Sequence, residues 1–81
     1  MLQITRVDIV DDWTLDIELS NGHLILFDMR YLMETNPAYD ILRKLEVLAR
    51  PNTDGQSIYW LDGPRLTLEE IMSLLNRQDN I

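Results

Sequence analysis

The 81-residue sequence contains no cysteine, a single histidine, a single phenylalanine and only three glycines. Without cysteine there is no disulfide framework, no thiol nucleophile and no thiolate metal site. An activated hydroxyl nucleophile needs a histidine that a third group orients, and His23 directly follows a turn, where such a residue is ordinarily a solvated strand position. Gly22, Gly55 and Gly63 each stand alone in a separate turn, so no glycine-rich loop is available to cradle phosphate. Basic residues are also scarce, seven Lys and Arg against fourteen Asp and Glu for a net charge of −7. A field of that sign repels phosphate and anionic lipid. The seven are dispersed as Arg6, Arg30, Arg43, Lys44, Arg50, Arg65 and Arg77, and only Arg43, Lys44 and Arg50 approach a cluster. Neither nucleic acid nor a membrane surface is expected as a direct partner. No apolar run nears the roughly 18 residues of a membrane span or the core of a signal peptide, so a cytoplasmic location is expected.

Leu, Ile, Val and Phe make up about a third of the chain, well above the roughly 20% below which a charged sequence stays disordered. A chain this short has room for one domain, residues 1–81, with a thin core. Leu2 to Val10 is rich in β-branched residues and ends at Asp11-Asp12. Trp13-Thr14-Leu15-Asp16-Ile17-Glu18-Leu19 then alternates apolar and polar without a miss. Asn21-Gly22 suits a two-residue type I′ turn, in which both residues have φ > 0, and His23 to Phe27 returns as a third strand.

Asp28 is placed to accept from the free N–H groups of a short helix over Met29 to Glu34. Asn36-Pro37 repeats the start signal for a helix to about Ala49, with Ala38, Ile41, Leu42, Leu45, Leu48 and Ala49 as its apolar stripe. A turn-rich loop from Arg50 to Gln56 leads to a short fourth strand, Ser57 to Leu61, closed by Asp62-Gly63-Pro64. Thr67 and Glu70 form a capping box for a last helix to about residue 77, with Leu68, Ile71, Met72 and Leu75 facing inward. The expected fold is α+β in the order βββααβα: a three-stranded antiparallel meander plus a fourth short strand, covered on one face by helices.

Register in the hairpin carries the functional expectation. With Asn21 and Gly22 as the only loop residues, Leu19 opposes Leu24, Glu18 opposes Ile25, Ile17 opposes Leu26 and Asp16 opposes Phe27. Opposed side chains share a face. Leu19, Leu24, Ile17 and Leu26 then lie under the helices, while Ile25 and Phe27 lie with Asp16 and Glu18 on the other face, where one pair of the fourth strand, Ile58 and Trp60 or Tyr59 and Leu61, is placed to join them. An apolar area rimmed by charge marks an interaction site, so Ile25, Phe27, Asp16, Glu18 and Tyr59 are the candidate protein-interaction residues. The carboxylates Asp8, Asp11, Asp12, Asp16 and Glu18 match no calcium-loop spacing. No catalytic residue, metal or cofactor is expected.

The chain as a whole resembles the small bacterial domain of unknown function numbered 2442. The resemblance rests on Val7 before the acidic turn, Trp13-x-Leu15-x-Ile17-x-Leu19, Asn21-Gly22, Phe27-Asp28 followed by Leu32, and Ile58-x-Trp60-x-x-Gly63-x-x-Leu66 before the final helix. It covers nearly the full chain. The family usually carries an Asp just after the glycine of its last motif and often a Pro early in the closing helix; Arg65 and Leu68 stand in that stretch here. The resemblance implies a small antiparallel sheet backed by helices and no established enzymatic activity. It also implies genes that sometimes neighbour a small toxin or are fused to a helix-turn-helix domain. Three expectations follow: a non-catalytic protein-interaction module, homodimeric or bound to another protein; its narrower form, a neutralising partner of a small basic toxin; and last, with no supporting motif, a small hydrolase or metal-dependent enzyme.

Overall fold

The computed structural model describes residues 2–61 and 63–79 and has an α+β architecture with two small antiparallel sheets. The first is the meander β1 (Ile4–Val10), β2 (Thr14–Leu19) and β3 (Leu24–Asp28), with β2 in the centre. Val7 opposes Ile17 and Ile9 opposes Leu15, which puts these apolar residues on one face. Alternation alone would turn Ile4 outward. An irregularity between Ile4 and Arg6 instead pairs Ile4 with Leu19, so Ile4 is also buried. Asp11 and Asp12 turn the chain between β1 and β2 at φ of 48° and 22°. Aspartate enters this left-handed region more readily than most residues because its short side chain bonds locally.

The β2–β3 connection differs from the expected two-residue turn. Gly22 N–H donates to Leu19 O (2.9 Å) and Leu19 N–H donates to His23 O (2.9 Å). Gly22 has φ of 88°, whereas Asn21 does not have positive φ. A type I′ turn needs φ > 0 at both positions; one β-turn followed by a left-handed glycine gives a three-residue loop instead. The Asn21 side chain accepts from His23 N–H (3.0 Å), and Ser20 bonds across to the residue preceding β1, its N–H donating to Gln3 O (2.8 Å). The extra loop residue shifts the pairing by one: Ile17 opposes Ile25, Leu15 opposes Phe27, Asp16 opposes Leu26 and Glu18 opposes Leu24. A one-residue slip turns every side chain of β3 over.

Helix α1 (Arg30–Thr35) follows, with Arg30 N–H and guanidinium both donating to the Asp28 carboxylate at 2.7–3.1 Å. The expected single helix from residue 37 to 49 is a 3-10 helix, Pro37–Arg43, then an extended Lys44 and one turn of α2 (Leu45–Leu48). Asn36 caps it as expected, accepting from Ala38 N–H (3.0 Å). The buried residues are Tyr39, Leu42 and Leu48, while Ala38 and Ala49 are exposed. Tyr39 and Leu42, the buried pair within the 3-10 segment, are three residues apart, the period of a 3-10 coil. The Leu45 side chain, placed in the expected stripe, lies outside the described residues, as does Asp62.

Ser57–Tyr59 is a strand, β5, but it does not join the meander. It is the centre of a second sheet between β4 (Asn52–Thr53) and β6 (Arg65–Thr67). The sheets meet where Ile4 N–H donates to Gly55 O (2.7 Å). Thr67 and Glu70 form the expected capping box, Glu70 N–H donating to Thr67 Oγ1 (3.1 Å), at the head of α3 (Leu68–Asp79). Leu15, Ile17, Phe27, Met29, Leu42, Leu48, Ile58, Leu66 and Ile71 meet in one core, sealed by Trp60, whose indole N–H donates to Leu48 O (3.2 Å).

The β4–β5 turn is organised by Asp54. Its Oδ1 accepts from the backbone N–H groups of Gln56 (3.0 Å) and Ser57 (2.9 Å), and its Oδ2 from Arg65 Nη1 (2.7 Å). The Gln56 amide, followed by the Arg65 guanidinium, holds this carboxyl far below the usual carboxylate range. A depressed carboxyl stabilises the fold above its unfolded pKa, and that contribution fades as pH falls toward the folded value. Asp54→Asn is therefore expected to lower the denaturation midpoint at pH 6, with the gap to the unmutated protein closing as the pH is taken down through 3. A gap independent of pH would show that geometry, not charge, carries Asp54's role.

Candidate functional site

The observed register assigns each face of the meander. Toward the core point Ile4, Val7, Ile9, Leu15, Ile17, Leu19, Ile25 and Phe27; away from it point Arg6, Asp8, Val10, Thr14, Asp16, Glu18, Leu24, Leu26 and Asp28. Of the five expected interaction residues, Asp16 and Glu18 lie on the outer face. Ile25 and Phe27 do not: Phe27 is 1% exposed, in the core, and Ile25 packs against it. The apolar residues beside the carboxylates are Leu24, 62% exposed, and Leu26, 67% exposed. The half-apolar, half-acidic face thus exists with the two members of each β3 pair exchanged, the consequence of the three-residue loop. Tyr59 belongs to the second sheet, where the Arg65 guanidinium carbon stands 4.8 Å above its ring centroid.

The backbone at this face is as informative as the side chains. Leu19 N–H to His23 O at one end and Met29 N–H to Trp13 O (2.9 Å) at the other place the odd-numbered residues of β3 in the ladder with β2. In an antiparallel pair hydrogen-bonded and non-bonded positions alternate. The N–H and C=O groups of Leu24 and Leu26 therefore point away from β2, along the outer edge of the sheet. The opposite edge is different, since β1 is tied to Gly55 near its start and shows charged Arg6 and Asp8 on its outer face. Charge on an edge strand deters pairing with another chain. On β3 that deterrent is replaced by leucine.

Electrostatics on the outer face are one-sided. Arg6 is ion-paired to Asp8 and lies 3.5 Å from Asp16 Oδ2. Asp16 Oδ1 is buried and has no hydrogen-bond donor among the described residues. Among the described residues the Glu18 carboxylate receives only the Thr5 hydroxyl (3.1 Å), and Asp28 is held by Arg30. Beneath the β3 edge, on the core side, an open depression of about 580 Å³ runs between the hairpin end and α3, lined by Leu19, His23, Leu24, Ile25, Met72 and Leu75. The last helix was expected to cover one face of the sheet with Met72 and Leu75 in its stripe; that these two border the β3 edge has no local signature in the sequence.

The outer face sets two exposed leucines, Leu24 and Leu26, beside the carboxylates of Asp16 and Glu18. The His23 ring makes no hydrogen bond to any described residue, and among the described residues no group of three or more His, Asp or Glu is arranged to hold a metal ion. No helix among the described residues is long and apolar enough to cross a membrane. Compared with protein-family models, with curated proteins and with solved structures, the chain matches none.

Proposed function

We propose that this protein is a non-catalytic protein-interaction module whose docking surface is the outer edge of β3. The observation that carries the reading is Leu24 and Leu26: both side chains are exposed, and both backbones face outward on an edge strand. Two leucines side by side on a free edge are what strand addition by another polypeptide uses, backbone bonds supplying affinity and the flanking side chains selectivity. The pairing of Arg6, Arg30, Arg43 and Arg65 with carboxylates supports leaving nucleic acid out of the partner list. The acidic face and the net charge of −7 support the narrower form in which a basic protein is the partner, and the resemblance to the domain of unknown function numbered 2442 is kept as a proposal of kinship.

Leu26→Lys tests the reading. The residue is exposed and opposes Asp16, so the change adds no like charge to the fold and is expected to alter stability by no more than about 0.5 kcal/mol, while an edge lysine deters strand addition. Size-exclusion chromatography with light scattering, and capture by tagged protein from the source cells, should then show an assembly with the unmutated chain that is absent with the variant. Equal assembly by both chains would remove the β3 edge from the function.

A further inference from the structure

Resting on that reading, we infer that the occupant of the β3 edge is an extended segment of a different protein in which apolar and basic residues alternate. The two sides of the edge set this pattern. A strand added to β3 sends alternate side chains to opposite faces. Those on the core side, beside Ile25, enter the depression lined by Met72 and Leu75 and should be apolar. Those on the outer side lie beside Leu24, Leu26 and Asp28, with Asp16 and Glu18 one strand further in. Lysine and arginine suit that side, because their methylene stems cover leucine while their charged ends reach carboxylates.

The same arrangement argues against a second copy. Antiparallel pairing of β3 with itself would join two faces that each carry Asp8, Asp16, Glu18 and Asp28, with Arg6 and Arg30 as their nearby cations. Both partners would also bring a net charge of −7. A basic strand is drawn in by the field of Asp16, Glu18 and Asp28, whereas a second copy is repelled by it.

The test uses the full chain and two blocked nine-residue peptides of alternating sequence, one of Val and Lys, the other of Val and Glu. Fluorescence anisotropy should show the Val-Lys peptide binding at least about tenfold more tightly than the Val-Glu peptide, with the difference collapsing at about 1 M salt. Hydrogen exchange should show new protection at the amides of Leu24 and Leu26. Leu26→Pro, which removes an outward N–H and no ladder bond, should weaken binding more than about tenfold in a variant whose circular dichroism is unchanged. Asp16→Asn with Glu18→Gln should remove most of the preference for lysine while leaving the fold. Equal affinity for the two peptides, or Val-Lys binding that leaves Leu24 and Leu26 unprotected and survives Leu26→Pro, overturns the inference. A dimer of the unmutated chain that Leu26→Pro converts to monomer also overturns it, though it preserves the interaction module. A chain that is monomeric and binds neither peptide at millimolar concentration overturns both.

Discussion

Phe27→Ala is expected to destabilise the protein by about 3–5 kcal/mol, and Leu26→Ala by less than about 0.5 kcal/mol. The two residues are adjacent on one strand and occupy opposite faces. Phe27 is 1% exposed and opposes Leu15 at the centre of the core, so its truncation removes transfer energy and leaves a cavity. Leu26 is 67% exposed and loses little. A domain of this size has on the order of 4–12 kcal/mol to lose, so Phe27→Ala approaches the limit of folding, while Leu26→Ala should be indistinguishable from the unmutated chain. Urea denaturation of the pair reads the hairpin register directly. The two-residue turn, in which Leu26 is inward and Phe27 outward, requires the reverse order of the two losses.

Trp60→Ala is expected to cost about 3–5 kcal/mol and Trp60→Phe about 1–3 kcal/mol. Trp60 is buried next to Gly63, and a Cβ built on that glycine would stand 3.1 Å from Trp60 Cβ. Its indole N–H reaches Leu48 O at the end of α2, so one side chain ties the second sheet to the helical segment. Phenylalanine keeps most of the apolar contact but leaves that carbonyl without its donor, which is why the smaller loss is still measurable. Thermal unfolding followed by far-ultraviolet circular dichroism would rank the two. A Trp60→Phe loss as large as that of Trp60→Ala would mean that the hydrogen bond outweighs the packing.

Where one short stretch of chain contains all the partners of an interaction, the sequence displayed it. The uninterrupted alternation of β2, the cap of Asn36 on Ala38 N–H and the box formed by Thr67 and Glu70 are spaced by two or three residues, and each is present as read. Asp28 likewise accepts from the start of α1. The 3-10 helix was not legible: spacings of three and four through Ala38, Ile41, Leu42, Leu45, Leu48 and Ala49 read as one α-helix, whereas the segment breaks at Lys44 and buries Tyr39 and Leu42.

The features that set the outer face of the meander lay one step further away. Asn-Gly is compatible with two loop lengths, and the choice between them rests on whether Asn21 takes positive φ. The strand alone is indifferent, because β3 is apolar at Leu24, Ile25, Leu26 and Phe27 and offers a hydrophobic face in either register. The longer loop places Ile25 and Phe27 against Leu15 and Ile17, with Ser20 bonded to Gln3 instead of β3. The same holds for β5, whose residues read as a strand while only its neighbours β4 and β6, two and three residues long, assign it to a separate sheet. Composition and local pattern thus determined an acidic α+β domain with a strong hairpin, capped helices and an apolar surface beside Asp16 and Glu18. Tertiary structure decided which residues form that surface, because a period of two carries no information about which of its two faces meets the core until the turn and the packing partners are in place.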